Sequence, residues 1–205
     1  ESMSHPYHNL NRRQKEYYES RFEADGGEER EANLVTNLWT GLRRRIQKHD
    51  HYIGRKELIL AEHREWLGDL RGKSVLDLGC FSGNDLSLWI ASRCGEYTGI
   101  DLSEKAIGQL NHRLEQQGLS KARAYALDLL ESDFPDQRFD VVYAHSVLHH
   151  FPDTRMLCRE LHRILAPGGV IVSYDPMRTE PINRAARALY RPFQSDRDWG
   201  GPFTR

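Results

Sequence analysis

Between Ser74 and Tyr174 five short apolar runs alternate with helical patterns, and no other feature of the chain constrains its fold as strongly. The runs fall at 74–78, 96–100, 123–127, 139–144 and 170–174, with helical patterns at 85–94, 103–117 and 153–165 between them. Ser103 suits a helix N-cap, Glu104 the first turn and Gly118 a C-terminal stop. In the last helix Met156, Leu157, Leu161, Ile164 and Leu165 make the apolar face, and Pro167-Gly168-Gly169 then predicts a turn into the fifth strand. Strands alternating with helices build βαβ units, so the expected class is α/β with a doubly wound, mostly parallel sheet. Ligands of such sheets bind beyond the carboxyl ends of the strands. Asp77, Asp101, Asp128 and His145 all fall at or just beyond those ends, which predicts a single site.

The first 70 residues have a different texture, polar and helical. Residues 11–22 are charged and aromatic; Leu34, Leu38, Leu42 and Ile46, with Val35 and Trp39, form an apolar stripe; a further helix is predicted over 55–70. The expected organisation is therefore an N-terminal helical cap at 1–70, a core at 71–175 and a trailing segment at 176–205. A chain of 205 residues can bury one sizeable core with such an appendage. Its 29 Lys+Arg against 30 Asp+Glu argue against a dedicated nucleic-acid binder. Cys80, Cys94 and Cys158 have no metal-ligand spacing and read as free thiols of a reducing compartment. No apolar run approaches the roughly 18 residues of a membrane span, and the N-terminal residues show no signal-peptide pattern. The expected location is the cytoplasm.

The chemistry concentrates in Ser74-Val75-Leu76-Asp77-Leu78-Gly79-Cys80-Phe81-Ser82-Gly83-Asn84-Asp85, where an apolar run ends on an acid and a glycine loop leads into a helix. Gly79 and Gly83 allow backbone conformations and a close ligand approach that a Cβ would obstruct. The Gly-x-x-x-Gly spacing departs from the dinucleotide-binding G-x-G-x-x-G, and Asp77 would meet a pyrophosphate with negative charge. A nicotinamide-dependent oxidoreductase is thereby disfavoured. Asp101 ends the second run 18 residues beyond Gly83, close to the spacing of an acid that bonds a ribose diol.

The glycine loop, Tyr97-Thr98-Gly99-Ile100-Asp101, Ala126-Leu127-Asp128-Leu129-Leu130, the stretch from Phe139 through Leu148-His149-His150-Phe151 to Asp153, and Leu165-Ala166-Pro167-Gly168-Gly169-Val170-Ile171-Val172 occur in this order. Together they resemble the motifs of the class I, Rossmann-like S-adenosylmethionine-dependent methyltransferases of small-molecule type. The resemblance implies S-adenosyl-L-methionine as cofactor, with S-adenosylhomocysteine as product. It implies cofactor binding by Asp77, Gly79, Cys80, Gly83, Asp101, Leu102, Asp128, Leu129 and His145. Asp128 would accept from the adenine amine with Leu129 against the ring, and His145 would offer backbone to the methionine end. For Asp77 two roles stay open, a partner for the cofactor's ammonium or a brace for the loop. Methylation of an oxygen or nitrogen of a small-molecule acceptor is the function so implied.

Methyl transfer from a sulfonium needs alignment more than acid–base help, and a base only where the acceptor must lose a proton. His145, His149 and His150 are the candidates, since histidine titrates near neutrality. His149 and His150 point in different directions on a helical turn, so one at most faces the methyl; the alternative is a helix cap and a filled polar niche. No carboxylate stands at a spacing that would complete a metal site with them, and none is expected. Tyr7, Tyr17, Tyr18 and Phe22 either close over the site or pack the cap onto the sheet. Arg43-Arg44-Arg45 with Lys48 reads as a solvated helix face, or as an RNA contact in a rival reading as an RNA methyltransferase. Arg178, Arg184, Arg187, Arg191 and Arg197 either decorate a helix or favour an anionic acceptor. After the fifth strand no alternating pattern remains for the two terminal antiparallel strands usual in the resembled family. The expectation is a fragment or a minimal sheet whose open edge invites a homodimer, and a non-catalytic cofactor-binding protein is a further rival.

Overall fold

The computed structural model describes residues 8–24, 51–151 and 153–175. The stripe from Leu34 to Ile46, the Arg43–Lys48 cluster, Tyr7 and all five arginines after Asp175 lie outside them, as do the side chains of Tyr18 and Phe22. Two helices come first, α1 (His8–Ala24) and α2 (His51–Leu67). The alternating part follows as β1 (Ser74–Leu78), α3 (Asp85–Arg93), β2 (Glu96–Asp101), α4 (Glu104–Gln116), β3 (Ala122–Ala126), β4 (Phe139–His145), α5 (Thr154–Ile164) and β5 (Leu165–Tyr174).

All four strand pairs are parallel and the order is β3-β2-β1-β4-β5. The chain winds outward from β1 through β2 to β3 and then returns to the other side at β4. Right-handed crossovers therefore put α3 and α4 on one face and α5 on the other. Alternation along the strands feeds both layers. Val75, Tyr97, Val141 and Tyr143 pack with Leu86, Ile90, Leu110 and Leu114 on one side. Leu76, Ile100, Val142 and Ala144 pack with Leu157, Leu161 and Ile164 on the other. Covered on both faces, β1 and β4 are buried almost throughout, as central parallel strands must be.

Helix starts follow side-chain chemistry. Asn84 Oδ1 accepts from the N–H groups of Leu86 and Ser87 (2.8 and 3.0 Å), Ser103 Oγ from Ala106 N–H (3.3 Å), and Asp153 Oδ1 from Arg155 N–H (2.8 Å).

Several boundaries differ from the sequence reading. Helix α2 begins four residues before 55 and stops at Leu67. The third strand sits one residue earlier, which makes Asp128 the cap of a 3-10 turn, Leu129–Glu131. The turn after β4 is also 3-10, Leu148–His150. The turn expected at Pro167-Gly168-Gly169 is instead part of β5. The strand leaves α5 directly at Leu165, paired with Phe139, and an irregularity between Phe139 and Val141 absorbs the extra residues. Along β5, Val170, Ile171 and Tyr174 are exposed.

Candidate nucleoside and acceptor site

The switch point between β1 and β4 is where a doubly wound sheet opens a crevice, and a cavity of about 410 Å³ lies there. Its floor is the glycine loop. Gly79 (φ +70°) sends its N–H to the carbonyl of Ile100 (2.8 Å), and Cys80 N–H shares that oxygen (3.1 Å). A Cβ at Gly79 would lie 2.5 Å from Val147 Cγ2, so only glycine lets the loop pass beneath the turn after β4. Gly83 (φ +74°) is pressed likewise by Leu110 Cδ1, 2.5 Å from a notional Cβ. Arg113 of α4 completes the clamp, its Nη1 donating to the carbonyls of Ser82 (3.0 Å) and Gly83 (2.6 Å).

Asp101, at the tip of β2, is on the cavity wall. Its Oδ2 accepts from Phe81 N–H (3.1 Å) and its Oδ1 from Ser103 N–H (3.0 Å). Burial pushes the carboxyl up from its ordinary range, and the backbone hydrogen bonds act against that. These bonds fix the carboxylate and leave it acceptor capacity for hydroxyls. Asp128 is also on the wall, its Oδ1 accepting from Leu130 N–H (3.0 Å). Leu102, Leu127 and Leu129 supply apolar surface between the two acids.

The cavity brings together Gly79, Asp101, Leu102, Asp128, Leu129 and His150 from the sequence-derived set. Asp77, Cys80, Gly83, His145 and His149 are not on its wall. Asp77, 2% exposed, accepts from Tyr97 Oη–H (2.8 Å), and burial pushes its carboxyl up to about 6. Cys80 is buried beside Gly99, its thiol pushed up by the same desolvation. His145 stacks on Tyr174 (5.5 Å between centroids, 10° between planes) and lies 5.8 Å from the buried His63 ring. Burial lowers the pKa of both imidazoles.

Two histidines and an acid meet beyond the carboxyl ends of β4 and β5. His150 is on the cavity wall, and its ring centroid is 4.1 Å from that of His149. His149 is turned toward Asp175, Nδ1 to Oδ1 2.7 Å, with its backbone N–H on the same oxygen (3.3 Å). Both side chains are under a tenth exposed, 8% and 5%. Asp175 Oδ2 is buried without a hydrogen-bond partner among the described residues, a costly arrangement unless a ligand or water uses it.

Sequence reasoning missed Asp175 and Arg113, and also Phe81, Ser146 and two amides of α1, Asn11 and Gln14, which are on the wall. For Asp175 a signal existed, an acid just past a strand end, the criterion that found Asp77 and Asp101. For Arg113 and the amides only tertiary packing carries the information. Asn11 and Gln14, rather than the side chain of Tyr17, are what α1 puts on the cavity.

Comparison with known proteins agrees with this geometry. The profile of the family described as "Methyltransferase domain" matches residues 76–173. The sterol 24-C-methyltransferase ERG6B of Gibberella zeae is 30% identical over 138 residues, 67% of this chain and 34% of that protein. The ubiquinone biosynthesis O-methyltransferase of Pseudomonas syringae pv. tomato is 40% identical over 105 residues, 50% of this chain and 44% of its own. Among solved structures, an S-adenosylmethionine-dependent methyltransferase from Mesorhizobium loti superposes with a TM-score of 0.50 at 29% identity, covering 55% of this chain and 50% of that one. Fold, crevice and matches define one class, and the chain belongs to the class I S-adenosylmethionine-dependent methyltransferase family. It spans about a third of the length of the sterol methyltransferases it matches. No helix among the described residues is long and apolar enough to cross a membrane.

Proposed function

We propose that this protein transfers the methyl group of S-adenosylmethionine to an oxygen or nitrogen of a small-molecule acceptor. The observation that carries the reading is the cavity at the strand tips, with two fixed carboxylates on its wall and a histidine at its margin. In this reading Asp101 holds the ribose hydroxyls and Asp128 the adenine amine. Leu102 and Leu129 face the base, and the loop from Gly79 to Gly83 underlies the methionine portion. Asp77 and Cys80 brace that loop from below, and His145 stacks on Tyr174 outside the cavity. Residues 1–70 act as a cap. The two relatives above, a sterol methyltransferase and an O-methyltransferase of ubiquinone biosynthesis, favour a small acceptor.

The reaction is an in-line displacement. The acceptor's lone pair forms the new bond to the methyl carbon as the carbon–sulfur bond breaks, and the sulfonium leaves as a neutral thioether. The protein's share is alignment and exclusion of water. When the acceptor is an O–H or N–H group its proton must leave, and the two histidines are the candidate bases. Asp175 accepts from Nδ1–H of His149, which leaves Nε2 as the basic nitrogen. His150, between that pair and the cavity, either takes the proton itself or orients the acceptor.

The test is S-adenosylhomocysteine formation with a panel of phenols and amines. Active wild type should lose about 10²-fold or more in kcat in H149A or H150A, with cofactor affinity unchanged. D175N should also lower kcat with cofactor affinity unchanged, because the His149 ring loses the partner that orients it. Turnover of neither class of acceptor would overturn the oxygen or nitrogen assignment, and histidine variants with full rate would overturn the role of the histidines as bases.

A further inference from the structure

Helix α1 lies across the cavity and is fastened at both margins by polar contacts. On one side the Asn11 carboxamide donates to Asp128 Oδ2. On the other, Gln14, 5% exposed, donates Nε2–H to the carbonyl of His150 (3.3 Å). One turn further, Lys15 pairs with Glu104, and Glu19 Oε1 accepts from Glu104 N–H (3.1 Å). Spacings of three and four put these side chains on one helix face, and Asn11 and Gln14 are both on the cavity wall.

Asp128 has one oxygen on Leu130 N–H and the other on Asn11. A carboxylate offers about four acceptor positions, so it keeps room for a further donor. The bond to Asp128 also settles which end of the Asn11 amide is nitrogen. With one N–H committed, the carboxamide has a second N–H and a carbonyl oxygen to offer. That donor and acceptor side by side is the pattern by which asparagine pairs with the amine and N7 of adenine.

We infer that Asn11 is an adenine-recognition residue: α1 delivers a carboxamide, oriented by Asp128, that reads the amino edge of the cofactor's base. The inference rests on the reading of the cavity as the nucleoside site. Two oxygen acceptors then surround the position of the exocyclic amine, and a base with a carbonyl there meets repulsion from both. The cap thus takes part in choosing the base as well as covering it.

Calorimetric titration of the full chain with S-adenosylhomocysteine and with its 6-oxo analogue, S-inosylhomocysteine, tests this without any acceptor. N11A, a substitution that favours helix, should narrow the preference for the adenosine ligand over the 6-oxo ligand by about fivefold, beyond the loosening of α1 that weakens both. Q14A, which loosens α1 without touching the base, should weaken both alike. A preference for adenosine that is unchanged in N11A, in a wild type that binds S-adenosylhomocysteine, overturns the role of Asn11 and leaves the site standing. A wild type that binds neither ligand overturns the site and the inference together.

Discussion

At the scale of single residues the carboxyl groups divide by depth. Asp101 and Asp128 stand on the cavity wall with acceptor capacity left over, whereas Asp77 is sealed beneath the loop with its hydrogen bond spent on Tyr97. Burial raises the Asp77 carboxyl from 3.8 to about 6. An acid whose pKa is higher folded than unfolded binds its proton more tightly in the native state. Its contribution to stability is therefore full below pH about 4 and is lost as pH rises through about 6. The shift corresponds to on the order of 3 kcal/mol. Urea unfolding at pH 4 and pH 7.5 should show wild type losing that much more stability than D77N across the interval. Equal pH slopes for the two proteins would mean that Asp77 is not the buried acid described. The sequence located all three acids at strand tips, yet it could not rank them by depth. Depth depends on Tyr97 and Ser87, which meet Asp77 only through the fold, as well as on the adjacent loop closing over β1.

Among the elements, the glycine loop is held less by its own sequence than by α4. Leu110 fills the space that a side chain at Gly83 would need, and Arg113 draws two loop carbonyls away from the cavity. G83A should thus suffer twice, from a left-handed backbone that costs about 1–2 kcal/mol and from collision with Leu110. L110A opens that space at its own cost of about 2–5 kcal/mol. A double-mutant cycle in urea should find the pair more stable than the sum of the singles by about 1 kcal/mol or more. Additivity would detach α4 from the loop. Strand and helix positions were legible from periodicity, as with Ser74–Leu78 and the helical patterns from 85 and 153, and from the Ser103 cap. The exit from α5 was not. Proline and two glycines read locally as a turn, but pairing of Leu165 with Phe139 draws them into the strand, so tertiary hydrogen bonding outweighs local preference.

For the whole molecule, the sheet order puts β1 and β4 side by side, and everything proposed of function follows from the crevice between them. The strand–helix alternation was enough to anticipate that crevice and the acids at its rim. What it could not convey is the contribution of segments remote in sequence. Asn11 meets Asp128 across 117 positions and His149 meets Asp175 across 26, so both contacts are assembled only on folding. A crystal structure of the full chain soaked with S-adenosylhomocysteine puts the central claim to its most direct test. The account predicts the ribose hydroxyls within hydrogen-bond distance of Asp101, the adenine between Leu102 and Leu129 with its amine on Asp128, and the sulfur directed toward His150. Nucleoside density elsewhere on the protein, or a ribose with no contact to Asp101, would contradict it.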